Sequence, residues 1–96
     1  MEIEFLDAAV VELDEAFEYY EYQQTNLGYR FISEIQQTLT RVELYPKAWH
    51  PLSENTRRCI VKNFPYGIIY QERDTFILIV AIMNLHRNPN SWIDRI

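Results

Sequence analysis

Between Thr56 and Met83 the chain strings together three short runs of strand formers, TRRCIVKNF, IIYQE and TFILIVAIM, separated only by Pro65-Tyr66-Gly67 and Arg73-Asp74. Links this short leave no room for a crossover, so the runs are predicted to pair with their sequence neighbours as an antiparallel meander. The first run, Thr56–Phe64, places Cys59, Val61 and Asn63 on one face and Arg58, Ile60, Lys62 and Phe64 on the other. The second is predicted at Ile68–Glu72. The third, Thr75–Met83, is apolar on both faces, which predicts a central place in the sheet. Arg73-Asp74 makes the turn before it without the Gly that a primed hairpin turn favours. The tail, Asn84–Ile96, reads as loop at Asn88-Pro89-Asn90 and ends in a short turn of helix.

What precedes the meander is mostly helical. Met1–Phe5 alternates Glu2 and Glu4 with Ile3 and Phe5, a period of two that predicts a short strand with one buried face. Asp7 is placed to cap the next helix, predicted over Asp7–Gln24 from the stripe Leu6, Val10, Leu13, Phe17, Tyr20. Thr25-Asn26-Leu27-Gly28 is a tight break, with Thr25 or Asn26 as the next cap. A second helix carries Phe31, Ile35, Leu39 and Val42 and ends near Leu44, because Pro46 disfavours helical geometry at Tyr45. So short a link predicts an antiparallel helix hairpin. Pro46–Asn55 is expected to be an ordered loop, with Trp49 and Leu52 plugging one end of the core. The order is β-α-α-β-β-β, an α+β fold in which both helices bury their stripes on one face of a small sheet. Residues 1–96 are expected to form one domain.

Charge is divided along the chain. Residues 1–50 carry ten acids against Arg30, Arg41 and Lys47, whereas residues 51–96 carry six cations against four acids. A body-wide basic field for nucleic acid is therefore absent, while a local cationic patch on the second half remains available. The longest apolar run, Phe76–Met83, is far short of the roughly 20 residues a membrane-spanning helix needs. The acidic start MEIEFLD has no basic segment of the signal-peptide kind. Cys59 is the lone cysteine, which fits a reducing cytoplasm.

Few residues carry obvious chemistry. His50 and His86 are the only histidines and stand at no ligand spacing, so no metal is expected. Gly28 and Gly67 cannot make a glycine-rich phosphate loop, and no cofactor is expected. Cys59 in mid-strand reads as a small buried hydrophobe. Glu12, Glu15 and Glu18 read as solvated charge on the outer face of the first helix. Phe17, Tyr19, Tyr20, Tyr22, Tyr29 and Phe31 read as hairpin packing, with Tyr19 and Tyr22 the partner-facing members. The basic set, Arg57, Arg58, Lys62, Arg87 and Arg95 with His86, is the candidate anion-binding surface, since Arg58 and Lys62 fall on one side of a strand. An RNA-cleaving version of that surface would use Arg58, Lys62 and Arg87 to stabilise a charged transition state, with His86 as acid or base.

Several marks recur in a familiar order: Tyr19-Tyr20-Glu21; Leu27-Gly28 followed by Phe31 and Glu34; Pro46 with Trp49; Arg57-Arg58; Phe64-Pro65-Tyr66 leading to Ile69-Tyr70; and Arg87, Pro89 and Trp92. In these the chain resembles the ParE branch of the RelE/ParE toxins of bacterial type II toxin–antitoxin systems, over nearly its whole length. The resemblance implies the same β-α-α-β-β-β order and a cognate antitoxin encoded nearby that wraps the hairpin and sheet, with Tyr19 and Tyr22 as its contacts. It implies DNA gyrase as target, met through Arg57, Arg58, Lys62, Arg87, Trp92 and Arg95. The alternatives are a RelE-like endonuclease acting on mRNA at the ribosome, or a non-toxic relic that only binds its antitoxin. The tail departs from the common pattern His-x-Arg-Arg-x-Pro-x-Tyr-Trp, with Asn84, His86 and Ser91 at the first His, first Arg and Tyr. A cation and a phenol are thereby lost, and the acidic helices suit an RNA surface poorly, so the expectation leans to gyrase.

Overall fold

The most apolar run becomes the strand on which the sheet is assembled. The computed structural model describes residues 1–96 and places β1 at Glu2–Phe5, α1 at Asp7–Gln23, α2 at Leu27–Leu44 and β2 at His50–Pro51. Three further strands follow, β3 at Arg57–Ile60, β4 at Tyr66–Glu72 and β5 at Phe76–Asn84, and a 3-10 turn covers Ile93–Arg95. The sheet order is β1-β5-β4-β3-β2. The meander pairs antiparallel, as expected, and β5 is flanked on both sides. Its other neighbour is β1, which pairs parallel from Glu2↔Phe76 to Phe5↔Ile79. Both helices and three strands lie between those two in sequence, a connection long enough for a parallel pair.

The two faces of the sheet are covered differently. The hairpin covers one, burying a cluster of 14 residues that includes Phe31, Ile35, Val42, Cys59, Ile68, Tyr70, Ile77 and Ile79. The tail folds under the other, where Trp92 packs with Ile69, Val80, Ala81 and Met83. A β-bulge explains how β5 serves both. Ile69 stands opposite Ala81 while Tyr70 stands opposite Ile79, so Val80 is an extra residue. Val80 and Ala81 thus both join the tail-side cluster, and Ile82 returns to the helix side.

Several local expectations are corrected. Leu6, not Asp7, is the N-cap of α1, with extended backbone and no side-chain cap bond. Asp7 lies in the first turn, where the helix dipole favours a carboxylate. The inward line of α1 is Ala9, Ala16 and Tyr20, with Val10 41% exposed. Alanines let the helix lie close to the sheet, and this rotates the contact line relative to the larger apolar residues.

Gly28 lies inside α2, and a Cβ there would come within 2.7 Å of the Phe17 carbonyl oxygen and 2.9 Å of Glu21 Cβ. The glycine is the point where the two helices touch. Asn26 is the N-cap of α2, at φ 73°, but its side chain makes no cap bond. Glu21 does that work from α1, its two carboxylate oxygens accepting from Asn26 N–H and Gly28 N–H at 3.0 Å each.

The expected strand at Thr56–Phe64 is shorter, because Asn63 at φ 68° breaks it and turns Phe64 over to the helix side. Tyr66 is already in β4 rather than in the turn. The expected loop at Pro46–Asn55 contains β2, which pairs His50↔Arg58 and Pro51↔Arg57 as an edge strand. Trp49 and Leu52 part company, Trp49 packing on the helix-side cluster and Leu52 on the tail-side one.

Candidate functional site

A groove of about 480 Å³ runs between α1 and the tail, over the last residues of β5. Glu12, Glu15, Ala16, Tyr19 and Tyr20 form the α1 wall, and His86, Arg87, Asn88 and Ser91 form the tail wall. Pro65, Tyr66 and Ile82–Asn84 lie between them. Sequence makes this cleft in two ways. The alanine line of α1 brings that helix down beside β5, and β1 ends at Phe5, so beyond Ile79 nothing of β1 pairs with β5. Leu85 N–H donates to Pro65 O on the β4 side, which turns the backbone groups of Ile82 and Asn84 toward the groove. Of these, Ile82 N–H is taken by Glu12 Oε1 at 3.1 Å.

Aromatic contacts connect the groove to the core. Tyr19 and Tyr20 meet edge-on at 5.2 Å, and Tyr20 meets Phe64 at 4.9 Å and Tyr66 at 6.1 Å. Burial raises the Tyr66 phenol above its ordinary range, and Asn84 and the Arg87 charge pull against that rise. Tyr20 is raised too, first by burial and then by Tyr66 and Tyr19. Both phenols are therefore neutral hydrogen-bonding groups at physiological pH. One wall is acidic and the other cationic, so the cleft is suited to a polar chain with an apolar side.

The residues singled out in the sequence fall into three groups. Tyr19, His86 and Arg87 line the groove together. Tyr22, 95% exposed, stands near the C-terminal end of α1 and outside it. Arg58 lies on the tail-side face opposite Ile69, its stem laid over Gly67, where a Cβ would be 3.2 Å from Arg58 Cγ and 3.5 Å from Leu85 Cδ2. Its Nε is buried without a partner. Lys62 is exposed in the turn after β3.

The remaining three are committed to the fold. Arg57 donates to the Trp49 carbonyl at 2.9 Å. Trp92 is buried and its ring N–H donates to Pro89 O at 2.8 Å. Arg95 pairs with Glu12 in a two-pronged contact at 2.8 and 2.9 Å, and that hydrogen bonding raises its pKa further. Glu12 is thus not a solvated outer charge. Its signal was present as Ala9, Glu12, Ala16, Tyr20 at spacings of three and four, a line hidden by the smallness of alanine.

No carboxylate holds the His86 ring, so the groove offers no ready acid–base pair. Burial raises the Cys59 thiol, which keeps it inert. No helix is long and apolar enough to cross a membrane.

Comparison with known proteins agrees with this architecture. No curated protein matches the sequence. A solved structure described as the chromosomal ParDE TA system from P. aeruginosa is similar in fold, with a TM-score of 0.63 at 15% identity. The match covers 88% of this chain and 96% of that one. A family model described as the ParE toxin of type II toxin-antitoxin system, parDE, matches residues 3–89. The chain belongs to the ParE toxin family of type II toxin–antitoxin systems.

Proposed function

We propose that this chain is a toxin that acts in the cytoplasm by inhibiting DNA gyrase, and that a cognate antitoxin neutralises it by laying an extended segment in the groove between α1 and the tail. The observation that carries the reading is the last part of the β5 edge, past the groups that Arg95 and Glu12 hold, which lies in the groove between an acidic helix and phenols. An added strand gains main-chain hydrogen bonds at such an edge, and neighbouring pockets select its side chains. An antitoxin segment with basic and apolar residues complements Glu15 and the Tyr19–Tyr20–Tyr66 surface. On this reading Tyr19 contacts the antitoxin inside the groove, and Tyr22 contacts it where the segment runs on past the groove along the end of α1. Arg58, Lys62 and Arg87 are the cations left for the target, because Arg57, Arg95 and Trp92 are engaged within the chain. An mRNA endonuclease is less well supported, since His86 has no partner to orient it as acid or base.

The test is DNA supercoiling by purified gyrase with the chain alone and with its antitoxin. Inhibition that the antitoxin reverses supports the proposal. Undiminished supercoiling at large excess of the chain refutes the gyrase part. Cleavage of message on programmed ribosomes under the same conditions would assign the endonuclease activity instead.

A further inference from the structure

Past Ile79, β5 has no strand on its β1 side. Leu6 N–H donates to Ile79 O at 3.0 Å, and that is the end of β1's reach. Two side chains from opposite ends of the chain take over. Arg95 Nη1 donates to Val80 O at 3.1 Å, and Glu12 Oε1 accepts Ile82 N–H at 3.1 Å. The two are joined to each other, Arg95 Nη1 to Glu12 Oε1 at 2.8 Å and Nη2 to Oε2 at 2.9 Å. A fork-to-fork pair of this kind is among the stronger and more directional polar contacts in proteins. Both side chains are largely shielded, at 21% and 27% exposure. Together they imitate a strand neighbour, one oxygen standing for a carbonyl and one N–H for an amide.

The tail has few other holds. Trp92 is its buried member, while Leu85–Ser91 and Ile93 are exposed. Yet this tail is one wall of the groove, and it carries His86 and Arg87. Arg95 itself does not line the groove.

We infer that the Glu12–Arg95 pair is a strap: Arg95 is a positioning residue that ties the C-terminal turn to α1 across the open edge of β5, and so fixes the width of the groove and the placement of Arg87. The consequence for binding rests on the groove being the antitoxin site; the strap itself belongs to the uncomplexed chain. Removing the guanidinium releases the tail, exposes Val80 O and leaves Glu12 of the groove wall without its counter-charge; the added negative charge would favour a basic segment, so a fall in affinity would come from the loosened tail.

Amide hydrogen exchange followed by NMR on the free chain tests this. Arg95→Gln is expected to speed exchange at Ile82 and through residues 84–96 by about tenfold or more, while amides of α2 and β4 stay protected. Unchanged rates through residues 84–96 overturn the inference. Should Arg95→Gln fail to fold, Arg95→Lys keeps the charge and loses the fork, and an intermediate rise is expected; no rise overturns it equally. Ile93→Ala, in the same turn and 48% exposed, is expected to leave exchange at Ile82 unchanged. An equal rise there would mean that the turn, not the pair, holds the tail. Affinity for the antitoxin encoded beside the gene is then measured for Arg95→Gln. A fall of about tenfold or more is expected. A loosened tail with unchanged affinity removes the groove reading and leaves the strap standing.

Discussion

The helix-covered and tail-covered faces of the sheet are built on different principles. The first buries 14 residues, with Phe31 meeting Tyr20, Phe64 and Tyr66 at ring separations of 5.0 to 5.2 Å. The second buries five, and the chain segment that covers it is held by one indole, one ion pair and the hydrogen bonds of Leu85 to Pro65 and Arg95 to Val80. Apolar burial that large fixes a fold, whereas the small face leaves its cover free to open separately. The contrast assigns stability to one side of the sheet and adaptability to the other, next to the groove.

The largest test of that contrast compares two truncations. Phe31→Ala is expected to cost about 3 to 5 kcal/mol and to lower protection throughout the molecule, since its cavity opens in the main core. Trp92→Ala is expected at or below about 3 kcal/mol, with lost protection confined to residues 84–96. Urea unfolding and amide exchange read both; equal global losses would erase the distinction between the faces.

Next is Gly28→Ala. A helix ordinarily gains about 1 kcal/mol from this change. Here the new methyl would meet the Phe17 carbonyl at 2.7 Å, a backbone atom that no rotamer relieves. Overpacking of this kind costs about 1 to 3 kcal/mol, so net destabilisation is expected in thermal unfolding, and a raised Tm would contradict the close helix contact.

Base sensitivity should also belong to the helix-covered side. Burial pushes Tyr70 from 10.0 up to about 12 and raises Tyr20 and Tyr66 as well. In the folded chain these phenols keep protons that the unfolded chain has lost. The Tyr70 contribution is therefore complete below pH 10 and disappears as pH rises toward 12, and Tyr20 and Tyr66 act in the same direction. Phenol absorbance followed together with circular dichroism would reveal it; titration at pH 10 with no late phase would contradict it.

The smallest effect on stability is expected from Tyr22→Ala, at 95% exposure, within about 0.5 kcal/mol of the parent. Antitoxin affinity measured by calorimetry should nonetheless fall, and an unchanged affinity would remove Tyr22 from the interface.

What could be read in the sequence followed from periodicity. The helix stripes, the turn residues and the doubly apolar last run were enough for the order of the longer elements and for an interior place for β5, though not for the two-residue β2. Periodicity does not report partners distant along the chain, so the parallel pairing of β1 with β5 was invisible. Nor does it report a bulge in a strand apolar on both sides, where moving Val80 changes no pattern. Glu21 and Glu12 were hidden for a related reason: a carboxylate on an amphipathic helix looks solvated unless the backbone groups it satisfies are known. Of the residues that line the groove, Tyr19, His86 and Arg87 were singled out by residue type and position. Tyr66 was read as a turn, and the structural duty of Arg57, Trp92 and Arg95 could not be told from charge and aromaticity.

The pairing of Ile3 with Ile77 has a consequence for biosynthesis. β1 must wait, through the making of both helices and of β2 to β4, for a neighbour that is synthesised much later. Contacts so distant along the chain slow folding. A nascent product ending before Phe76 would have no partner for β1, and the face beneath its helices would lack Ile77, Ile79 and Ile82. Closure of the sheet therefore follows the synthesis of β5, the strand that joins β1 to the meander.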